Sequence, residues 1–307
     1  MIKYIIGDRM KRAKHAKKEK ILTWKKFLKF IFMLTIIISG ILLYARYIGT
    51  SGLLIKEYKI YNSNIPDSFH GTKVIHVSDI HYGRTILKDE LNNLVTKIND
   101  LKPDIVIFTG DLIDKDTKLT KKDKKIIIEE LKKLDTTIGK YAITGNHDYQ
   151  FDEYNSILLE SNFINLDDSY DIIYHKSYEP IMLAGLKTYL SSKKSMDDRM
   201  LNINTYISDN KDNGPKFRIL MMHEPDLIDD VQVDNFNLVL AGHSHNGQVR
   251  LPIIGATVLP PKAKNYYDEY YKINNTDLYI SSGVGTSTIN FRFLNKPSIN
   301  LYRLVNK

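Results

Sequence analysis

The chain has no cysteine. A disulfide scaffold, a thiolate metal site and a cysteine nucleophile are therefore excluded. Any metal must be held by nitrogen and oxygen, a donor set that suits Mn, Fe, Zn, Co, Ni or Mg. The body of the chain also lacks a positive excess. The formal net charge is +8, but residues 1–29 hold eleven Lys or Arg against Asp8 and Glu19, or +9. The remaining residues sum to −1, so nothing there resembles a basic groove and no nucleic-acid partner is expected. There is no internal repeat. The 307 residues, 43% hydrophobic, suffice for one large domain or two small ones with a real core.

Charge is missing altogether from Phe30 to Ala45, and Lys29 and Arg46 flank this run. A spanning helix needs about 20 apolar residues, and snorkelling of the two flanking cations makes up the shortfall. Trp24, Tyr44 and Tyr47 stand where interfacial aromatics are expected. No small-x-small cleavage site follows, because the sequence there is Tyr44-Ala45-Arg46-Tyr47. The expectation is an uncleaved single-pass anchor in the cell membrane, with a cytoplasmic N-terminus and the rest of the chain on the extracytoplasmic side. It divides the chain into a basic head (1–29), an anchor (30–48), a linker with the first strand (49–72) and a large domain (73–307).

Beyond the anchor, β-branched runs alternate with helical periodicity. Strands are predicted at Glu57–Tyr61, Val74–Ser78, Asp104–Thr109, Lys140–Thr144, Phe217–Met222 and Phe236–Ala241. Helices are predicted at Leu87–Leu101, Thr120–Leu134, Asp152–Leu159 and Met196–Ile207, the last within a polar segment, 187–216, placed beside the site. From Gln248 onward the pattern predicts antiparallel β. Strands alternating with helices, then more strands, point to an α/β fold of two packed sheets flanked by helices.

Five polar motifs close five of these strands: Asp79-Ile80-His81, Gly110-Asp111, Gly145-Asn146-His147-Asp148, His223 and Gly242-His243-Ser244-His245. Each has an ordinary explanation alone. Gly-Asp is a common turn, Gly-Asn-His-Asp suits an Asx turn, and a single His after a strand is often a satisfied core residue. For His243 and His245 to meet one site the backbone must bend, which Gly242 and Gly247 permit. Five such accidents in one chain are improbable. A parallel or mixed sheet lines strand ends along one edge, where ligands bind. That edge would carry three acids or amides and several imidazoles, a set suited to two divalent ions.

In this order, Ser-Asp-Ile-His, Gly-Asp-Leu-Ile-Asp, Gly-Asn-His-Asp, His-Glu-Pro and Gly-His-Ser-His-Asn-Gly-Gln resemble the calcineurin-like metallophosphoesterases. The nearer resemblance is to their bacterial membrane-associated YkuE/YaeI-type phosphodiesterase branch, over about residues 55–305. It implies a four-layer α/β/β/α sandwich. It also implies two divalent ions (Mn, Fe or Zn), one held by Asp79, His81, Asp111 and His245. The second would be held by Asp111, Asn146, His223 and His243, with Asp111 bridging. It implies hydrolysis of a phosphodiester or pyrophosphate by a metal-bound hydroxide. The family position of His147 is a stabiliser or proton donor for the leaving group, and Asp114 resembles the position that pairs with that His and raises its pKa. Asp148 is expected to be structural. Arg292 reads equally as a phosphate contact or a surface ion pair, and the tyrosines at 266, 267, 270 and 271 as packing. There is no twin-arginine pair, so folded export is not supported.

With an anchor on the same chain, the expected partners are the membrane and a phosphate-ester substrate, for example one linked to lipid or cell envelope. Two rivals are a phosphomonoesterase and a non-catalytic metal- or phosphate-binding envelope module. A decayed module usually loses a ligand, and this chain keeps every one, together with His147, which metal binding alone does not need.

Overall fold

The computed structural model describes residues 2–307, which divide into two units between Ile48 and Gly49. The first unit is one helix, α1 (Ile2–Leu43), closed by a wider π-helical turn at Tyr44–Ile48. The basic head is therefore helical and continuous with the apolar run. It is rich in Lys, a good helix former, and contains no proline to stop a helix. Among the described residues, this is the one helix long and apolar enough to cross a membrane.

The second unit follows the predicted alternation. In chain order it contains β1 (Leu54–Tyr61), β2 (Lys73–Val77), α2 (Lys88–Asp100), β3 (Ile105–Phe108), α3 (Lys121–Lys132) and β4 (Gly139–Ala142). Then come α4 (Tyr154–Glu160), β5 (Ile164–Asn165), β6 (Ser169–Ile173), β7 (Ile181–Leu186), α5 (Met196–Asp209), β8 (Arg218–Met222) and β9 (Leu238–Ala241). It ends with β10 (Arg250–Leu251), β11 (Gly255–Ala256), β12 (Tyr270–Ile273), β13 (Thr276–Ile280) and β14 (Ser298–Val305). One six-stranded sheet runs β1-β14-β2-β3-β4-β5 and the other β12-β13-β9-β8-β7-β6, with β10 and β11 forming a separate hairpin.

Three clusters hold the layers together. Val74, Ile107, Ile143, Leu183, Ile219 and Leu240 meet between the two sheets. Ile75, Val106, Leu91 and Ile127 pack α2 and α3 on the outer face of the first sheet. Met182, Leu220, Val239 and Ile203 pack α5 on the outer face of the second. The order is helix, sheet, sheet, helix, and residues 74 to 77 alternate between two buried faces as strands inside such a stack must. The tail departs from the predicted antiparallel unit. β12 and β13 do form a hairpin, but β13 runs parallel to β9, and β14 crosses to the first sheet, parallel to β1 and antiparallel to β2. Seven consecutive positions of β14 from Ser298 to Leu304 are buried apart from Arg303, so it is a central strand without solvent-facing alternation.

β2, β3, β4, β8 and β9 are mutually parallel within their sheets. Their C-terminal ends are therefore neighbours along one edge of the sandwich, and every predicted motif follows one of them.

One buried histidine lies outside that edge. His76 in β2 is fully buried; its Nε2 is 2.8 Å from Thr109 Oγ1 and its ring lies on Tyr302. Burial lowers its pKa to about 3. The unfolded chain then takes up a proton near pH 6.5 while the folded chain does not, so stability falls as pH drops from 6.5 toward 3. His76→Gln keeps a donor for Thr109 and should remove about 2 kcal/mol of the loss between pH 6.5 and 5, read from urea midpoints at the two pH values.

Candidate metal centre

The loops that carry the motifs are held in contact by glycine and by one carboxylate. Gly110 has φ +96°, and a Cβ on it would stand 2.6 Å from Gly145 Cα. The Gly-Asp and Gly-Asn loops thus touch backbone to backbone. Asp148 fixes them there. Its carboxylate accepts the amide protons of Asp111 (2.6 Å), Leu112 (2.8 Å), Ile113 (3.1 Å) and Gly145 (3.0 Å). Burial and the nearby Asp111 push its carboxyl up to about 7, opposed by the Gly145 and Ile113 amides.

Asp111 sits at the middle. Its Oδ1 accepts the His147 amide at 2.7 Å, which turns Oδ2 toward three imidazoles. His223 Nε2 is 3.3 Å from Oδ2, His81 Nε2 3.7 Å and His147 Nε2 4.0 Å. On one side, Asp79, His81 and His245 form a compact group; on the other, Asp111, His223 and His243 form a second. Asn146 joins the second, its Oδ1 2.9 Å from His223 Nε2. Seven side chains scattered through the sequence are thus brought together, in two groups about one carboxylate.

The backbone is distorted to achieve this. Asp79, His81, Asp111, His243 and His245 all have φ between +48° and +64°, in the left-handed region. Each costs about 1–2 kcal/mol for a residue with a Cβ, so the surrounding structure holds substantial strain at this edge. The bend that lets His243 and His245 face one cleft lies in these residues themselves and in Asn246. Gly242 serves another purpose, since a Cβ there would stand 2.7 Å from Asp79 Oδ2.

Three of the imidazoles are oriented from behind. His223 Nδ1 lies 2.7 Å from the Thr109 carbonyl and His243 Nε2 2.9 Å from the Pro261 carbonyl. Both carbonyls accept, so Nδ1 of His223 and Nε2 of His243 are occupied, and His223 Nε2 and His243 Nδ1 are the nitrogens that face the cleft and would be left to a cation. His81 Nδ1 faces Asp114 Oδ2 at 3.4 Å. Burial pulls the His81 pKa down, but Asp114, Asp111 and Asp79 outweigh it and hold it raised. In His223 too the Asp111 carboxylate overcomes burial and raises the pKa. Burial lowers His243 to about 3 and takes His245 well below its usual value. Burial also raises Asp79.

His147 enters the same cleft edge-on to His81, with ring centroids 4.5 Å apart. Its Nδ1 accepts the Lys115 amide at 3.0 Å. The neutral ring therefore carries its proton on Nε2, the atom turned toward Asp111. Burial lowers its pKa to about 4, outweighing Asp111 and Asp114. Asp114 raises it as expected, but by less than burial lowers it, so the net shift is downward. Asp114 Oδ2 is 3.6 Å from His147 Nδ1, on a nitrogen that already accepts a proton from the backbone, and it is nearer His81. Asp114→Asn should accordingly act through His81, weakening metal retention about 10–100-fold in a chelator competition while the chain stays folded.

Several participants were not visible in the sequence. Arg292 is neither at the surface nor open to substrate. It is fully buried, with Nη2 donating to the Ser282 (2.7 Å) and Gly285 (2.6 Å) carbonyls and lying 3.2 Å from His245 Nδ1. Burial lowers its pKa to about 9, opposed by Asp79. Arg84 reaches Asp114 Oδ1 at 3.4 Å and Asn290 Oδ1 at 2.9 Å. Thr188 donates its hydroxyl to the buried Glu224 and its amide to the Thr144 carbonyl, tying the start of the 187–216 segment to the site.

The profile of the calcineurin-like phosphoesterases matches residues 72–247, which spans every motif up to Gly247. The chain belongs to that family. The metallophosphoesterase YkuE of Bacillus subtilis is 34% identical over 266 residues, covering 85% of this chain and 88% of the relative. A Helicobacter pylori metallophosphoesterase is 30% identical, covering 92% and 72%. A Danio rerio relative described as a transmembrane protein with a metallophosphoesterase domain is 26% identical, covering 79% of this chain and 55% of its own length. The chain thus falls in the YkuE-type branch, and the family implies a metal-dependent phosphoester hydrolase.

The residues present fit two divalent ions. Nitrogen and oxygen ligands about 2.1 Å from one ion stand about 3.0 Å apart at right angles and about 3.4 Å at tetrahedral angles. His81 Nε2 and His245 Nε2 are 3.1 Å apart, and His245 Nε2 and Asp79 Oδ1 3.4 Å. In the second group His223 Nε2 is 3.3 Å from Asp111 Oδ2 and 2.9 Å from Asn146 Oδ1. Two buried carboxylates ringed by imidazoles are otherwise an expensive arrangement, which cations placed among them relieve.

Proposed function

We propose that this chain is a membrane-anchored phosphoesterase with two divalent ions, cleaving a phosphodiester or pyrophosphate of a lipid or cell-envelope component. In this reading, Asp79, His81, Asp111 and His245 hold one ion, and Asp111, Asn146, His223 and His243 the other. The observation that carries it is the position of Asp111 Oδ2 between both groups, with a third imidazole, His147, presenting an N–H beside it.

When bound, the ions supply positive charge for phosphate oxygens and acidify a nearby water. The residues of the chain do the rest. Asp111 shares its carboxylate between the two groups and offsets their mutual repulsion. The carbonyls of Thr109 and Pro261 fix which nitrogen of His223 and His243 is left to a cation. His147 donates its Nε2 proton as a hydrogen bond to the developing charge on phosphate or leaving oxygen. The anchor reading draws on the long apolar helix and on the transmembrane description of the zebrafish relative. Eleven cations before residue 30 put that end in the cytoplasm and the phosphoesterase domain outside.

The test is metal analysis of the purified full chain in detergent, then turnover on bis-p-nitrophenyl phosphate, p-nitrophenyl phosphate and a lipid-linked pyrophosphate. Two ions per chain with preference for diester or pyrophosphate is expected. Faster turnover of the monoester would replace the diester reading with a phosphomonoesterase. Bound metal with no turnover on any of the three would leave a binding module.

A further inference from the structure

The hairpin of β10 and β11 exposes apolar side chains to an unusual degree. Residues 251–261 read Leu-Pro-Ile-Ile-Gly-Ala-Thr-Val-Leu-Pro-Pro, without a charge. Ile253 is fully exposed, Ile254 71% and Val258 79% exposed, with Leu251 beside them. Single exposed aliphatics are ordinary, but a contiguous set at the tip of a projecting hairpin marks a contact surface. Ile253 also has φ +70°, a conformation that a β-branched residue avoids. Strain is thus accepted at the most exposed apolar residue of the hairpin.

Both ends of this stretch are fastened to the metal centre. Just before it, Arg250 Nη1 donates to the Asn246 carbonyl at 2.9 Å; at its end, the Pro261 carbonyl accepts from His243. The same rim carries the chain's route to its apolar helix. A cavity of about 380 Å³ is lined by Leu54, Lys56, Arg250, Asp268, Leu294 and Lys296 among others. Leu54 opens β1, and only residues 49–53 separate it from the end of the helical unit. Chain length alone keeps Leu54 within about 20 Å of residue 48, whatever the arrangement of the two units. Leu54 and Leu294 are themselves about half exposed.

We propose that the 251–258 hairpin dips into the headgroup–acyl boundary of the bilayer that the helix spans. The mouth of the metal centre is then held against the lipid surface, and phosphate esters at headgroup depth are reached without leaving the membrane. The proposal rests on the anchor reading above but not on catalysis. A partner protein would fit an apolar tip equally well in chemistry; the short tether is what favours lipid, because it limits Leu54 to within about 20 Å of the end of the apolar helix.

The absence of cysteine makes the test direct. The full chain carrying Ile253→Cys, labelled with the fluorophore NBD, is reconstituted into nanodiscs of phosphatidylethanolamine and phosphatidylglycerol. Tyr178→Cys serves as control. Tyr178 is also fully exposed, in the loop before β7, at the pole opposite Leu186 and His223. At 253 the emission should shift to the blue and lose more than about half its intensity to doxyl-labelled lipid, as expected for a group buried roughly 5–10 Å into the interface. At 178 neither change should occur. Water-like emission at 253 would overturn the proposal. So would a blue shift that doxyl lipid does not quench, which would assign the tip to a second copy of the chain. Protein that elutes free of the nanodisc removes the anchor and the proposal with it, whereas loss of turnover alone leaves the proposal standing.

Discussion

Asp111→Asn should lower turnover on bis-p-nitrophenyl phosphate by on the order of 10³-fold or more, and should empty both halves of the centre. The reason lies in the two oxygens of one carboxylate. Oδ1 accepts the His147 amide, and an asparagine oxygen can keep that bond, so the loop is expected to survive. Oδ2 is the atom that faces His81, His223 and His147 together. An amide NH₂ in its place brings no charge and aims two protons at the positions the ions need. Bound metal per chain after dialysis should fall well below the wild-type value, with far-ultraviolet circular dichroism unchanged. Equal turnover in Asp111→Asn and wild type would refute the hydrolase reading. Loss of metal from one half only would refute the sharing of Asp111 and leave two independent sites.

The parts of this centre that were legible in the sequence are those a strand end announces. β-branched runs stopping at Asp79, Asp111, Asn146, His223 and His243 mark parallel strands, and parallel strands must end side by side. What was illegible has no side-chain signature. The Thr109 and Pro261 carbonyls orient two imidazoles, and any residue could supply a carbonyl. The left-handed backbone of Asp79, His81, Asp111, His243 and His245 is likewise invisible, because Asp and His occupy that region without glycine's conspicuous absence of a side chain. Glycine itself misled in one place: Gly242 is required by the approach of Ser78 and Asp79, not by a bend. Arg292 reads equally as a phosphate contact or a surface ion pair because arginine usually serves as one or the other, and it is the carbonyls of residues 282, 283, 285 and 295 that make its full burial tolerable. The sequence reads the tail only as antiparallel β and does not tell which sheet β14 joins, because an apolar tail after a run of turns looks alike in either. Its hydrophobicity on both faces was the clue that it is central.

Substitution of His147 is the second change with a large effect, and it separates the two ways this residue can act. His147→Ala should reduce kcat by about 10²–10⁴-fold with bound metal near the wild-type value, since no other residue in the cleft presents an N–H from its position. The pH dependence then decides the protonation state. Nδ1 is occupied by the Lys115 amide, so a second proton on the ring would break that bond. Burial already lowers the pKa to about 4, and two cations a few ångströms away would lower it further. The neutral ring with its proton on Nε2 is therefore the working form from about pH 5 upward. The ratio of wild-type to His147→Ala rates should stay flat between pH 5 and 8, because the group does not titrate there. A ratio that falls as pH rises through 6 to 7 would mean that an imidazolium does the work. It would also require Asp114 to leave His81 and displace the Lys115 amide from Nδ1. His147→Gln, which can donate from nearly the same place without titrating, should recover part of the rate under the first account and none under the second.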